Sequence, residues 1–338
     1  MLTNPHDKII VEGGVMMSIF MKAAENDLEF VKLNFTHLEM VDERRKSLLH
    51  YAVLGSAMDV IHYLLDMDIN VNMVDEHGET PLFDCARKGK LEIAKLLLTK
   101  FANVNIENRI GELPIHLAAF KGNMDMIKLL IESGSFLNKK TQEDRLPVHY
   151  AISGGRVEVV PFLLKESKQS WFMKDTYGNT LLHHAAKTSN VQMLDLLLNQ
   201  NLDPNALNSQ FETPIFNAVR FGTIETLRLL LASDAYVDIH NRRFETPVDT
   251  AMIFDKQDVI KYLQEYMSTP KYERLVQKQA LSIAVLNRDH VYLRKLIEKA
   301  TPMKKDRLQK TALDYAKEYN LGLCVNLLRD VEVNGNSQ

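Results

Sequence analysis

The sequence has few of the residues that mark secreted or membrane proteins. Its only cysteines are Cys85 and Cys324. Each falls at a helical position, so we expect small core residues rather than a disulfide, and the scarcity favours a reducing compartment. Residues 1–20 lack the apolar run of a signal peptide, and no segment is apolar over the length that crosses a bilayer. We therefore expect an intracellular, cytoplasmic protein without membrane insertion.

Net charge and catalytic motifs are also scarce. The formal net charge is −3 at pH 7, and basic clusters such as Arg242-Arg243 are too isolated to form the basic stripe that nucleic-acid binding requires. The sequence has no Cys-x-x-Cys pair, no glycine loop for a phosphate and no Gly-x-Ser-x-Gly elbow. Its carboxylates are numerous but scattered. The sequence therefore predicts no enzyme, no cofactor and no nucleic-acid partner.

One six-residue phrase returns along the chain at a near-constant interval. It begins at Ser47 as Ser-Leu-Leu-His-Tyr-Ala and recurs every 33 or 34 residues. The later copies begin at Thr80, Leu113, Leu146, Thr180, Thr213 and Thr246. A fixed period of this size indicates stacked supersecondary units rather than one globular core.

The unit that contains residues 75–105 shows how each copy is expected to fold. The segment 75–78 is a turn in which Gly78 supplies a positive φ. Thr80 and Pro81 then open a helix as its N-cap and first position. A glycine ends this helix, and a leucine-rich run over 91–98 predicts a second helix that is sandwiched between neighbours.

The phrase, the glycine between the helices, the leucine run and a closing asparagine all recur in register. The closing asparagines are Asn72, Asn105, Asn138 and Asn205. This combination resembles the ankyrin repeat family, whose hallmark is Thr-Pro-Leu-His-x-Ala in a unit of about 33 residues. The resemblance implies an all-α ankyrin-repeat solenoid of helix-turn-helix units with short β-hairpin-like loops.

The resemblance also sets the expected organisation of the chain. We expect an N-terminal extension (1–17), a degenerate capping repeat (18–46), seven regular repeats (47–268), two degenerate C-terminal repeats (269–330) and a disordered tail (331–338). Pro270 argues against a continuous helix across the last regular repeat and the next segment. Thr269 beside it is either part of a plain interruption or a phosphorylation site. Because stacked repeats contact only their neighbours, we expect the segment from Gln279 onward to open first.

Several repeated residues have a structural interpretation. His50, His116, His149 and His183 occupy one position of the phrase and stand one or two repeats apart, at about 10 Å per repeat. Zinc ligands must converge on one ion, so we expect these imidazoles to bond turn backbone between units and to bind no metal. Gly78, Gly111 and Gly178 are expected to shape the hairpin tips.

In the ankyrin family, ligands are usually held by hairpin tips and by the inner helices on the concave side. Phe211 and Phe244 stand at tip positions where glycine is usual. They either fold back onto neighbouring hairpins or form an aromatic–arginine patch with Tyr177, Arg242 and Arg243, of the kind enriched in interface hot spots. Trp171, the only tryptophan, replaces the closing asparagine of its unit. It either plugs the groove between units or serves as an exposed anchor.

The resemblance therefore implies a non-catalytic scaffold or adaptor for partner proteins, as a subunit of a larger complex such as a cytoskeletal assembly. A pathogen-type effector or inhibitor that sequesters its target is the alternative, and an enzyme with an unrecognised site is a further one. The identity of the partner is determined by surface side chains.

Overall fold

The structure is a computed structural model, which describes residues 13–299 and 303–335. The predicted extension over 1–17 falls largely outside these residues, and its described part belongs to the first helix, which begins at Gly13. The predicted tail over 331–338 differs as well, because the backbone of residues 331–335 continues the last helix. That helix has glycine only at its two ends and no proline, so nothing in its sequence stops it earlier. Residues 336–338 lie outside the described residues.

In the described residues every regular element is a helix, and the predicted all-α fold is confirmed. The first compact unit, within residues 1–168, has ten: α1 (Gly13–Ala24), α2 (Leu28–Asn34), α3 (Leu48–Gly55), α4 (Met58–Asp66), α5 (Pro81–Lys88), α6 (Leu91–Thr99), α7 (Pro114–Lys121), α8 (Met124–Glu132), α9 (Pro147–Ser153) and α10 (Val159–Glu166). The second unit, within residues 169–338, has eleven: α11 (Leu181–Ala185), α12 (Val191–Asn199), α13 (Pro214–Phe221), α14 (Ile224–Ala232), α15 (Pro247–Ile253), α16 (Gln257–Met267), α17 (Pro270–Lys278), α18 (Ala280–Leu286), α19 (His290–Glu298), α20 (Ala312–Glu318) and α21 (Gly322–Gly335).

The helices begin and end largely where the repeated residues predict. Thr80 is the N-cap of α5 and Pro81 follows it, but the Thr80 hydroxyl makes no capping bond. In several units the bond runs the other way, because the histidine three residues into the phrase accepts from the N-cap backbone N–H, as His50 does from Ser47 at 3.1 Å. Gly89 ends α5 with a φ of 70°, which is the left-handed region that glycine tolerates best.

The first unit is a row of helix pairs. The inner helices α1, α3, α5, α7 and α9 pack side by side, and each also packs on the outer helix that follows it. The core between them consists of fully buried aliphatic residues, among them Leu48, Ile61, Leu82 and Leu97. Helix pairs of this length cannot bury their apolar faces alone, so the row itself forms the core.

The second unit begins in the same way. The inner helices α11, α13 and α15 pack in sequence, α12 packs on α14, and α16 packs on α15. The row of inner helices then stops. Met252 on α15 is 53% exposed, whereas Val219 at the same repeat position on α13 is 1% exposed. The side of α15 that would receive another repeat is therefore open to solvent.

The C-terminal helices take a different course from the predicted stack. The helix pairs α18–α19 and α20–α21 exist as predicted, and the chain breaks at Pro270 as predicted. However, these helices pack on one another and on two loops earlier in the chain. We call these loops the exit loops; they are segments 202–207 and 235–239, which follow the outer helices α12 and α14. Leu207, Tyr236 and Ile239 are buried in one cluster with α18–α21. The C-terminal pairs thus do not contact only their sequence neighbours, and the basis of the predicted early opening from Gln279 is wrong.

Polar bonds hold the C-terminal helices in this place. Tyr319 Oη accepts from the backbone N–H of Leu207 at 2.8 Å. Lys310 Nζ lies 3.0 Å from the carboxylate of partly buried Asp203. The side chain of Asn287 accepts from His240 N–H and donates to the carbonyl oxygen of Asp238. These partners stand 47 to 112 residues apart in sequence, so a period of 33 residues carries no signal for them.

Candidate partner-binding site

The four repeated histidines are buried inside the units. His50 Nε2 lies 3.0 Å from the carbonyl oxygen of Glu79 in the next unit, and His183 Nε2 lies 3.0 Å from that of Glu212. Because each Nδ1 accepts a backbone N–H of its own unit, Nε2 carries the proton and donates it to the carbonyl. Burial lowers the pKa of His116 to about 4 and that of His183 to about 3. These imidazoles are neutral at pH 7. His149 accepts from Leu146 N–H in the same way as His116 accepts from Leu113.

Metal binding has no support in the described ranges. Across residues 13–299 and 303–335, no three His, Cys, Asp or Glu side chains lie together in a way that could hold a metal ion. No helix within these ranges has the length and apolarity to cross a membrane. Cys85 and Cys324 are buried free thiols, one in each compact unit, and burial raises the pKa of both.

The hairpin tips of the second unit lie in a row. Backbone N–H groups link each tip to the one before it, from Ser209 to Tyr177 at 2.8 Å and from Arg242 to Gln210 at 2.9 Å. Glycines shape the regular tips, since Gly78, Gly111 and Gly178 have φ angles between 73° and 79°. The structure therefore brings together five of the six predicted partner residues on these tips: Tyr177, Phe211, Arg242, Arg243 and Phe244.

Phe211 and Phe244 adopt the same left-handed backbone, with φ angles of 59° and 60°. This conformation costs a residue with a Cβ roughly 1–2 kcal/mol. The two rings have different surroundings. Phe211 is half-buried, with its ring centroid 3.9 Å from the guanidinium carbon of Arg288 and 4.8 Å from that of Arg242. Phe244 is 81% exposed. Phe244 thus carries a large exposed ring on a backbone conformation that disfavours a Cβ, and strain of this kind is often retained for function.

Arg288 holds Phe211 from the C-terminal side. Its guanidinium donates to the carbonyl oxygens of Leu286 at 3.0 Å and His240 at 2.9 Å. Burial, together with the nearby charge of Arg242, lowers the pKa of Arg288. Phe211 thus packs onto the C-terminal helices as well as its neighbouring hairpin, and it leaves Arg242 oriented at the surface. The sequence pattern gives no signal for Arg288, because its contact with Phe211 depends on the fold-back.

Trp171 lies apart from the tips. It is half-buried in the segment that precedes the tip of Tyr177, and Phe172 beside it is exposed. The asparagines at the same repeat position bridge two exit loops: Asn205 accepts from Tyr236 N–H at 2.8 Å and donates to Asp234 O at 3.0 Å. An indole has no acceptor, so Trp171 cannot make this bridge.

A groove of about 380 Å³ opens beside the tip of Arg242 and Arg243. Its walls also include Glu212, Arg220, Thr250, Ile253 and Phe254. Arg220 is held by a two-pronged ion pair with Glu212, one branch of which measures 2.8 Å. This hydrogen bond raises the pKa of the Arg220 guanidinium, which keeps its charge. Ile253 and Phe254 are exposed.

The sequence-based site omits Thr250, Ile253 and Phe254. A comparison along the repeat register gives no clear signal for them. Arg87, Lys187 and Arg220 occupy the position of Ile253 in other repeats, but so do Leu54 and Phe120. Phe221 likewise precedes Phe254 at its position, where Lys88 and Lys121 stand in two further repeats.

This site offers guanidinium groups, a hydroxyl and apolar surface, which are groups that can recognise another molecule. The row of helix pairs with protruding tips defines a repeat protein of the interaction class. Family models for ankyrin repeats match residues 20–108 and 101–175, and a second ankyrin-repeat model matches residues 182–231. These matches cover more than half of the chain, so it belongs to the ankyrin repeat family. Ankyrin repeats generally mediate protein–protein interaction.

Solved structures agree with this assignment. In all, 598 chains of known structure match. One is the crystal structure of the human ASB11 ankyrin repeat domain, which is 25% identical, with a TM-score of 0.54. The match covers 64% of this chain and 96% of that one. The comparison with curated proteins gave no match.

Proposed function

We propose that this protein is a non-catalytic scaffold or adaptor that holds a partner protein within a larger intracellular, cytoplasmic complex. The tips and inner helices of the second unit form the contact surface. Phe244 carries this proposal, because a large ring is held in a strained backbone conformation and exposed to water. Arg243 on the same tip and Ile253 on α15 add exposed charge and apolar area beside it.

Four of the six sequence-predicted residues keep their proposed role in partner binding, and two change. Tyr177, Arg243 and Phe244 are exposed and free to contact a partner. Arg242 contributes its charge from its place on the Phe211 ring, whereas Phe211 itself orients that charge. Trp171 stands in a loop segment outside the row of tips, so we propose that it belongs to a separate surface.

Affinity purification of the full-length protein from its native source tests the proposal. Phe244→Ala should lose a stoichiometric partner that the wild-type protein retains. Phe101→Ala is the matched control, since Phe101 is also exposed and left-handed, with a φ of 64°, but lies in the first unit. Equal recovery of the partner by both variants would place the binding surface elsewhere, and a substrate turned over by the purified protein would refute the non-catalytic role.

A further inference from the structure

One position of the inner helices carries a series of polar side chains that form hydrogen bonds within the protein, and Thr250 is the member of this series that does not. The fifth residue of the repeat phrase is polar in six of the seven copies. In five of these it bonds within the protein: Tyr51 to Asp42, Asp84 to Arg87, Tyr150 to Glu112, His184 to Asp175 and Asn217 to the carbonyl of His183. Thr250 occupies this position in the last copy, is 1% exposed, and its hydroxyl has no partner among the described residues.

The residue that carries this hydroxyl lines a ligand-sized space. Thr250 lines the groove of about 380 Å³ beside the tip of Arg242 and Arg243. A buried hydroxyl without a hydrogen bond costs free energy, so an unsatisfied one in a groove points to a group that the free protein lacks. A groove of this size admits a few side chains and a strand of backbone rather than a folded surface.

The charges at the rim define what the groove accepts. Arg220 is neutralised by Glu212, so it adds no free charge. The Glu245 carboxylate also lines the groove and accepts from the Asn241 side chain at 2.9 Å. In the described part of the chain, no carboxylate lies within ion-pair distance of Arg242 or Arg243, and the Phe211 ring positions Arg242. Two uncommitted guanidinium groups side by side favour a carboxylate, which they can bind through paired N–H donors.

The opposite end of the groove is apolar. Ile253 and Phe254 are exposed there, on the last turn of α15 and directly after it. The Arg220 guanidinium lies 5.9 Å from the Phe254 ring centroid, which holds that ring against the wall. This end therefore favours an aliphatic or aromatic side chain.

We propose that this groove binds an extended segment of the partner that carries an acidic side chain and an apolar one. The carboxylate lies against Arg242 and Arg243, the apolar side chain lies on Ile253 and Phe254, and the Thr250 hydroxyl bonds the backbone of the segment between them. This inference rests on the proposed function and specifies the chemistry of the partner at that site.

Fluorescence anisotropy with short labelled peptides and the full-length protein tests the chemistry. A peptide of alternating Glu and Leu should bind, and peptides in which Lys replaces Glu or Ser replaces Leu should bind at least tenfold more weakly. Arg242→Gln with Arg243→Gln should weaken the Glu-Leu peptide by tenfold or more. Arg109→Gln should change nothing, because Arg109 occupies the same tip position in the first unit.

Thr250→Val separates a binding role from a structural one. Replacement of an unpaired buried hydroxyl by a methyl group should leave the thermal midpoint unchanged or raise it. Binding of the Glu-Leu peptide should nevertheless fall about two- to tenfold, and Thr250→Ser should retain it. A Thr250→Val protein that binds as the wild type does would overturn the role of the hydroxyl.

Failure of this inference is distinguishable from failure of the proposed function. If the protein retains its native partner through Phe244 but does not prefer the Glu-Leu peptide over the Lys-Leu peptide, the groove inference is refuted and the scaffold stands. Equal affinity for the Glu-Leu and Glu-Ser peptides would also refute it, since charge alone would then account for binding.

Discussion

Single asparagine side chains join successive repeats. Asn72 accepts from Asn103 N–H at 2.8 Å, and Asn105 accepts from Phe136 N–H at 2.9 Å. Asn205 makes the same bridge, but its surroundings differ because the C-terminal helices cover its loop and leave it 3% exposed. Asparagines at the same repeat position thus contribute different amounts to the free energy of unfolding.

Asn205→Ala should destabilise the second unit by about 1–3 kcal/mol, because it leaves the buried N–H of Tyr236 without its acceptor. Asn72→Ala is the control, and it should cost less than about 1 kcal/mol, since water can reach the groups it releases. Urea unfolding of both variants measures the difference. Equal losses of unfolding free energy in the two variants would mean that burial under the C-terminal helices does not strengthen the contribution of Asn205.

The buried histidines make stability depend on pH. Burial lowers the pKa of His116 to about 4, so the folded state binds its proton more weakly than the unfolded state, whose pKa is about 6.5. The stabilisation is therefore complete above pH 6.5 and decreases as the pH falls toward 4, by up to about 1.4 kcal/mol per pH unit for each such histidine. Urea midpoints measured from pH 7.5 to pH 4.5 should fall mainly below pH 6.5. A midpoint constant over this range would contradict the neutral, backbone-bonded assignment.

Helices α18–α21 show what an element-level pattern can and cannot predict. Alternating apolar runs correctly predict two helix pairs after Pro270. They do not predict that the pairs fold back, because this depends on a few side chains that meet loops far away in sequence, such as Tyr319 at Leu207. A repeat period describes contacts between neighbouring units only.

Tyr319→Phe should destabilise the fold-back by about 1–3 kcal/mol, because the buried N–H of Leu207 loses its acceptor. Hydrogen exchange should then speed up in segment 202–207 as well as in α20. Tyr292→Phe, at an exposed position on α19, is the matched control and should leave exchange unchanged. In the wild-type protein, α18–α21 should exchange as slowly as α13 and α14; earlier opening would support a simple stack instead.

At the scale of the whole molecule, the sequence predicts the family and most helix boundaries, because the residues of each repeat determine where its own helices begin and end. Two features of the candidate site are predictable in the same way. Phe211 and Phe244 stand at tip positions where other repeats have glycine. Thr250 is not visible in this way, since a threonine at a polar position shows nothing unusual until its missing partner is known. Function resides in such departures rather than in the repeat.

A hydrogen-exchange footprint of the full-length protein, with and without the partner recovered from its native source, tests the proposed binding surface most directly. We expect new protection in residues 241–254, which include the tip of Phe244 and helix α15, and none at the tip of Arg109. Protection confined to the loops that follow the outer helices of the first compact unit, with residues 241–254 unchanged, would contradict the proposed surface.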